Sequence, residues 1–324
     1  MPFSERAFHR WLSTHLRGSR NDPLPLGDDA AGIAPGRGVL LLTTDSLIEG
    51  SHFLRGSPAR RIGSAAVAVS LSDIAAKGGR PAGVLLDLLL PASTPMRWAQ
   101  EVVLGAEHLA TRYGCHVVGG DTKPSPVRTV VGTVVGFGSR STLSPRSGAR
   151  VGDLLVTTGP VGRGGWAARS LRVHGNKKTA VLTELLRVTP RVREGPILSR
   201  YAHAMMDTSD GIAESAHLMA AASHRRVILE AERLPLYAPI TKRIRDEDER
   251  LALAFFGGDY ELLAAVPPAR VPSARRQLSR VSCPLTVVGR VVRGRGAVLE
   301  QKGTPGPLPH SGWQPFDRVR SPPL

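Results

Sequence analysis

The chain holds two cysteines, Cys115 and Cys283, in 324 residues. That number supplies no disulfide framework, and their spacing suits no metal site. Aromatic residues make up 5%, so the cores are expected to be aliphatic and alanine-rich. Long apolar runs are also missing. The strongest, residues 84–90, is broken by Asp87 and is far too short to span a bilayer. The first twelve residues, MPFSERAFHRWL, lack an apolar export core and read as the start of an amphipathic helix, so cytoplasmic residence and no membrane partner are expected. Lysine is scarce: Lys77, Lys123, Lys177, Lys178, Lys242 and Lys302 are all there is, and the net charge of +16 rests on scattered arginine. No basic run is interleaved with aromatics, which argues against a base-stacking platform and against a nucleic-acid partner. The basic surface suits anionic metabolites. Neither a GxxxxGK[ST] phosphate loop nor the HRD and DFG signatures of protein kinases occur.

What is present is a set of seven aspartates in five short segments: Asp28 and Asp29 in LGDDAA, Asp45 in TTDS, Asp73 in SLSD, Asp121 in GGDT, and Asp207 with Asp210 in DTSDG. Each sits at a glycine- or hydroxyl-rich break beside an apolar run. If the fold gathers them, their repulsion calls for cations, and magnesium ions around a polyphosphate are the natural solution. Taken singly, each segment has a plainer reading. GDDAAG is a good turn. The aspartate of TTDS, expected at the end of a strand over residues 39–44, can cap the next segment as well as bind a cation. DTSDG before a helix is an N-cap pattern that can equally hold cations or cradle phosphate. Asp73 differs, because it lies inside an alanine-rich pattern apolar on all sides, where a carboxylate is rarely tolerated without a partner. Gly119 and Gly120 before Asp121 permit close backbone approach to a phosphate.

Strands alternate with helices through residue 137, which predicts an α/β layered fold. The segment 138–152, rich in Gly, Ser, Pro and Arg, is the expected boundary, dividing the chain into an N-terminal α/β domain (1–140) and a C-terminal α/β domain (150–324). The proline-rich end, 303–324, is expected to lie over the surface.

In this order, GDDAA, TTDSLIEGSHF, SLSDIAAKGGRP, VVGGDT, PRSGARVGDLLVTTGPVG, DTSDG and GGDYEL resemble the thiamine-monophosphate kinase family, from Gly27 to about Phe316. The wider superfamily, that of aminoimidazole-ribonucleotide synthetase and selenophosphate synthetase, shares only the general plan. The resemblance implies a homodimer formed through the N-terminal sheet, with ATP and thiamine monophosphate meeting in a cleft between the domains. It implies several Mg2+ ions held by Asp29, Thr43, Thr44, Asp45, Asp73, Asp121, Asp207 and Asp210, with Asp28 a weaker candidate. Gly120, Asp121, Arg146 and Ser209 would contact the nucleotide, and His52, Asp259 and Phe316 the substrate. Asp45, Asp121, Arg146 and Asp210 would carry the chemistry.

The chain also departs from the family pattern. GGDYEL, residues 257–262, is one acidic residue shorter than the family's Gly-Gly-Glu-Asp-Tyr-Glu-Leu, and Asp259 is expected to stand in for the missing glutamate. Arg163-Gly164-Gly165-Trp166 replaces smaller residues, and Lys77 a residue that is commonly methionine. The alternatives left open are a drifted relative acting on another phosphorylated metabolite and a nucleotide-binding protein without turnover.

Overall fold

The computed structural model describes residues 31–33, 38–174 and 179–311. Asp28, Asp29, Phe316 and the expected N-terminal helix lie outside them. The first sheet takes β1 (Ala31–Ile33), β2 (Val39–Ile48), β3 (Arg80–Leu90), β4 (Val117–Gly119), β5 (Thr122–Pro124) and β6 (Thr129–Gly138) in the order β1-β2-β6-β3-β4, with β5 also on β3. Neighbours are antiparallel except β4 and β5, which run parallel to β3. The helices α1 (Ala59–Ala76) and α2 (Met96–Arg112) belong to the same core. On β6, Val130, Gly132, Val134 and Gly136 are buried, while the alternate residues Val131, Thr133, Val135 and Phe137 stay partly or fully exposed. That is the period-two pattern of a sheet with one covered face.

One expectation needs correction. The strand carrying TTDS does not end at Asp45; it runs to Ile48, because all ten residues of β2 pair with β6, from Val39↔Gly138 to Ile48↔Thr129. Asp45 is therefore a mid-strand residue opposite Gly132. Alanine-rich α1 is buried almost all round because it is held between the sheet, α2 and the second half of the chain. At Gly132 a Cβ would stand 2.4 Å from the Ala66 carbonyl, so only glycine lets α1 lie this close to the sheet.

The second sheet is ordered β13-β12-β9-β11-β7-β10-β8. Its strands are β7 (Leu154–Thr157), β8 (Ala204–Asp207), β9 (Arg226–Glu230), β10 (Leu262–Val266), β11 (Thr286–Val292), β12 (Gly296–Gln301) and β13 (Thr304–Pro307). With it run α3 (Arg163–His174), α4 (Thr179–Leu185), the single turn α5 (Gly195–Leu198), α6 (Ile212–Ser223), α7 (Ala238–Arg243), α8 (Glu247–Phe255) and α9 (Val271–Ser279). The architecture is mixed α and β in two sheets. None of the described helices is long and apolar enough to cross a membrane.

Two features tie the halves together. Leu186 and Val192, which follow α4, complete the apolar core of the first sheet. In addition, α1 is bonded to β8: buried Ser72 donates from Oγ to Asp207 Oδ2 at 2.6 Å, and fully buried Lys77 donates from Nζ to the Met205 carbonyl at 3.0 Å. The ammonium is not left in an apolar void, since a backbone acceptor meets it.

Candidate active site

The carboxylates are built onto β2, α1 and β8, where those elements meet. Thr43, on β2, donates from Oγ1 to Asp73 Oδ2 of α1 at 2.6 Å. Ser70, one turn before Asp73, has its Oγ 3.1 Å from Asp45 Oδ2 and 2.8 Å from the Gly132 carbonyl, so its single proton serves both. Asp207 is 2% exposed; besides Ser72, it accepts at Oδ1 from Ser209 Oγ at 2.8 Å and from the Ser209 amide at 3.4 Å. Asp210 is exposed just before α6. Thr44 exchanges a hydrogen bond with Thr133 of β6 at 2.8 Å.

Tyr260 follows Asp259 in the loop that is bonded to DTSDG through Gly258 and Glu261. Burial pushes its phenol well above the ordinary value, and the negative charges of Asp45, Asp207 and Asp210 push it further the same way. Those three carboxylates therefore share one electrostatic neighbourhood. Among the described residues, no three His, Cys, Asp or Glu side chains form a ready-made metal cluster. Paired strands lie about 4.8 Å apart, and Asp121 is beyond β6 and β3 from Asp45, so about 14 Å of sheet separates the two. Asp121 is thus set apart from Asp45 by two intervening strands.

Asp121 is half exposed. Lys123 Nζ lies 3.1 Å from its carboxylate and the Thr122 amide donates to it at 2.7 Å; together they hold its carboxyl below the usual range. Its own amide donates to Asp87 Oδ1 at 2.7 Å. At Gly120, φ is 152° and a Cβ would stand 1.9 Å from the Leu86 carbonyl, so packing on β3 already demands glycine there. Arg146 lies in the segment between the sheets, next to Pro145, whose carbonyl accepts from the Met205 amide at 2.9 Å. This segment thus runs along β8. His52, in the turn after β2, accepts at Nδ1 from the Ile48 amide at 3.3 Å, and burial lowers its pKa. Its neutral form therefore carries the proton at Nε2. His52 lies in the turn that folds back on the end of β2, where its own amide donates to the Ile48 carbonyl at 2.8 Å.

The GGDYEL segment is held by its neighbours at nearly every residue. Asp259, expected from the motif to meet the substrate, is buried and accepts from the amides of Gly162 at 2.7 Å and Gly164 at 3.1 Å, at the start of α3. Burial pushes its carboxyl up to about 6, with those two amides and Arg163 pulling the other way. The Gly258 amide donates to the Ser209 carbonyl at 2.7 Å, and the Glu261 amide to Thr208 Oγ1 at 3.0 Å, which joins this loop to DTSDG. Glu261 accepts from Arg191 at both carboxylate oxygens and from Thr158 Oγ1 at 2.7 Å.

Sequence reasoning passed over Tyr260, Ser70, Ser72 and Arg191. A polar residue one or three positions from an aspartate on a buried helix was the available signal for the two serines.

This arrangement of two sheets and two matching stretches is that of the AIR synthase related proteins. The model of their N-terminal domain matches residues 27–138 and that of their C-terminal domain residues 150–302. A thiamine-monophosphate kinase of Halobacterium salinarum is 38% identical over 272 residues, 84% of this chain and 89% of that one. That of Escherichia coli is 30% identical over 319 residues, 95% of each. A solved structure, AaThiL complexed with AMPPCP and TMP, superposes with a TM-score of 0.83 at 28% identity and covers 96% of both chains. The chain belongs to the thiamine-monophosphate kinase family.

Proposed function

We propose that the protein transfers the γ-phosphoryl group of ATP to thiamine monophosphate, giving thiamine diphosphate and ADP. The observation that carries this reading is the set of carboxylates on β2, α1 and β8, oriented by Thr43, Ser70, Ser72 and Ser209. Likeness over 96% of a chain solved with an ATP analogue and TMP supports it. In the transfer, a terminal phosphate oxygen of the acceptor forms the new P–O bond, and the bond from the γ-phosphorus to the bridging oxygen of ADP breaks. The acceptor is already an anion, so no general base is needed to create the nucleophile. The protein's task is alignment and charge compensation.

The donor set is carboxylate and hydroxyl oxygen, which fits magnesium. Asp45, Asp73, Asp207 and Asp210, with Thr43 and Asp121, would hold Mg2+, as would Asp29 outside the described residues; the Thr44 hydroxyl meets Thr133 on the other face of the sheet, so Thr44 is assigned to the metal through its backbone. Bound there, Mg2+ would neutralise the polyphosphate and the charge that develops during transfer. Arg146, Gly120 and Ser209 are assigned to the nucleotide and His52 and Phe316 to the acceptor, in a cleft between the two halves. We assign Asp259 to the fold of α3, because both its oxygens are bonded to backbone amides. The same observation favours one second reading, an acceptor other than thiamine monophosphate, since a family contact with substrate then has no evident replacement.

A homodimer through the open face of the first sheet completes the proposal. Leu85, Phe137 and Val118 expose apolar surface there, at 41%, 56% and 67%, which is costly to leave in water over a continuous face. Magnesium-dependent formation of thiamine diphosphate, resolved by chromatography, tests the main reading; ADP formation with a different phosphorylated acceptor alone would replace it.

A further inference from the structure

We propose that Lys77 is a positioning residue for the transfer: its ammonium pins the free edge of β8 to the end of α1, which sets Asp207 in register with the carboxylates of the first half. The role in catalysis rests on the function proposed above. Lys77 is the first residue after α1 and is fully buried. Ala76 beside it and Met205 on β8 share one apolar cluster with Leu198, so the end of α1 is embedded in the second half. An ammonium is among the costliest groups to enclose, and a methionine of similar reach would fill the same space with apolar atoms alone. What the ammonium adds is a donor. Its Nζ meets the Met205 carbonyl at 3.0 Å, two residues before Asp207.

β8 is the last strand of its sheet and pairs with β10 on one side only. A buried strand edge needs main-chain partners from elsewhere. On that edge the Met205 amide donates to the Pro145 carbonyl at 2.9 Å, the Met205 carbonyl accepts from Lys77, and the Asp207 carbonyl accepts from Ser215 Oγ at 2.9 Å. Lys77 is the member of this set that comes from the first half. Its own carbonyl accepts from the Ser144 amide at 3.4 Å, so the end of α1, residues 144–145 and β8 close a ring of three hydrogen bonds. The Asp207 side chain meets α1 a second time, through Ser72 Oγ at 2.6 Å. Two bonds to one helix fix both the position and the direction of a strand, whereas one fixes its position alone. Arg146 follows Pro145, so the same ring holds the stretch that carries it.

Lys77→Met, Lys77→Gln, Ser72→Ala, Thr43→Val and the pairs of Lys77→Met with each of the last two test this. Lys77→Met is expected to raise the magnesium needed for half-maximal rate about tenfold. It should weaken magnesium-dependent ADP binding at least about fivefold by calorimetry, which needs no turnover. Amide exchange in peptide 203–209 should quicken about tenfold or more, with β6 unchanged. In the Ser72→Ala background the further rise in magnesium requirement should fall below about threefold, because both changes release Asp207. With Thr43→Val, which releases Asp73 instead, the two effects should multiply in full. Lys77→Gln, which keeps a donor on a shorter stem, should lie between wild type and Lys77→Met, and it carries the test if Lys77→Met does not fold. A lysine that serves stability alone would lower the melting temperature and leave the magnesium requirement unchanged. That result, effects that multiply in full with Ser72→Ala, or unchanged exchange in 203–209 would overturn the proposal. A wild-type protein that makes no thiamine diphosphate would fail the functional reading instead, leaving exchange and ADP binding to decide this one.

Discussion

Removing Arg191 is expected to uncover the cost of the buried carboxylate it faces. Arg191 and Glu261 are 17% and 7% exposed, and the guanidinium meets both carboxylate oxygens, with Nε to Oε2 at 2.6 Å. Burial works to lower the Arg191 pKa, but Glu261 overcomes it and raises the guanidinium above its ordinary value. We therefore take the pair as ionised. For Glu261, burial raises the carboxyl and Arg191 is the main group holding it down. In Arg191→Met, Thr158 Oγ1 remains as a donor, while Glu194, 3.6 Å from Arg191 in the native protein, becomes a second carboxylate without that cation. Breaking a buried pair by removing one partner costs about 3–5 kcal/mol, a fall in melting temperature on the order of 10 °C. Losing Arg191 raises the folded-state pKa of Glu261 further above its unfolded value, so the variant binds an extra proton when folded. Its stability then falls as pH rises through that interval, and the deficit is larger at pH 7.5 than at pH 5. Arg191→Met/Glu261→Gln should recover more than half of the loss at pH 7.5. Denaturant unfolding of wild type and both variants at the two pH values decides it. A single-variant loss below about 1 kcal/mol, a deficit independent of pH, or no recovery in the double variant would refute the reasoning.

Asp45→Asn and Asp121→Asn should each lower kcat by roughly 10²–10³-fold, the scale of losing one group that stabilises transition-state charge. The melting temperature of Asp45→Asn should hold or rise, since like charge leaves an acidic site, whereas Asp121→Asn gives up contacts with Lys123 and the Thr122 amide and should not gain stability; full activity at limiting magnesium would refute a role of either carboxylate in holding the metal. Ser70→Ala and Ser72→Ala, which release Asp45 and Asp207, should raise the magnesium needed for half-maximal rate by about 10–100-fold with the fold intact. Asp259, at about 6 when folded against an ordinary value near 4, binds an extra proton in the folded state between those values. Its contribution to stability therefore falls as pH rises from about 4 to 6, by at most about 1.4 kcal/mol per pH unit, and is level above; Asp259→Asn should remove that slope in urea titrations. Val135→Glu/Phe137→Glu, placing charge on the open sheet face, should turn a dimer into a monomer in sedimentation, and a wild-type monomer would refute the dimer.

The element pattern was legible because β-branched runs such as TVVGTVV mark strands, and an alanine-rich stretch apolar all round, over 60–77, marks a buried helix. Asp45, Asp73 and Asp207 stood out because each interrupts an apolar run with an oxygen-rich break, and each is held by a hydroxyl in the structure. The length of β2 was not: TTDS looks like a strand end, and only pairing with β6 along all ten residues extends it. The surroundings of Asp259 were not legible either. The resemblance offers it as a stand-in for a missing glutamate, and the motif says nothing of the amides of Gly162 and Gly164 at the start of α3, 97 and 95 residues away in sequence, that bond its oxygens. The contribution of Leu186 and Val192 to the first sheet's core is invisible locally, since it depends on how the chain returns after α4.

The central claim is that the carboxylates joining β2, α1 and β8 serve phosphoryl transfer to thiamine monophosphate. The direct test incubates the protein with ATP, magnesium and thiamine monophosphate and separates the products by chromatography. Thiamine diphosphate that appears with magnesium, vanishes with chelator and vanishes in Asp45→Asn is the predicted result. ATP binding without any thiamine diphosphate, at saturating magnesium and acceptor, would contradict it.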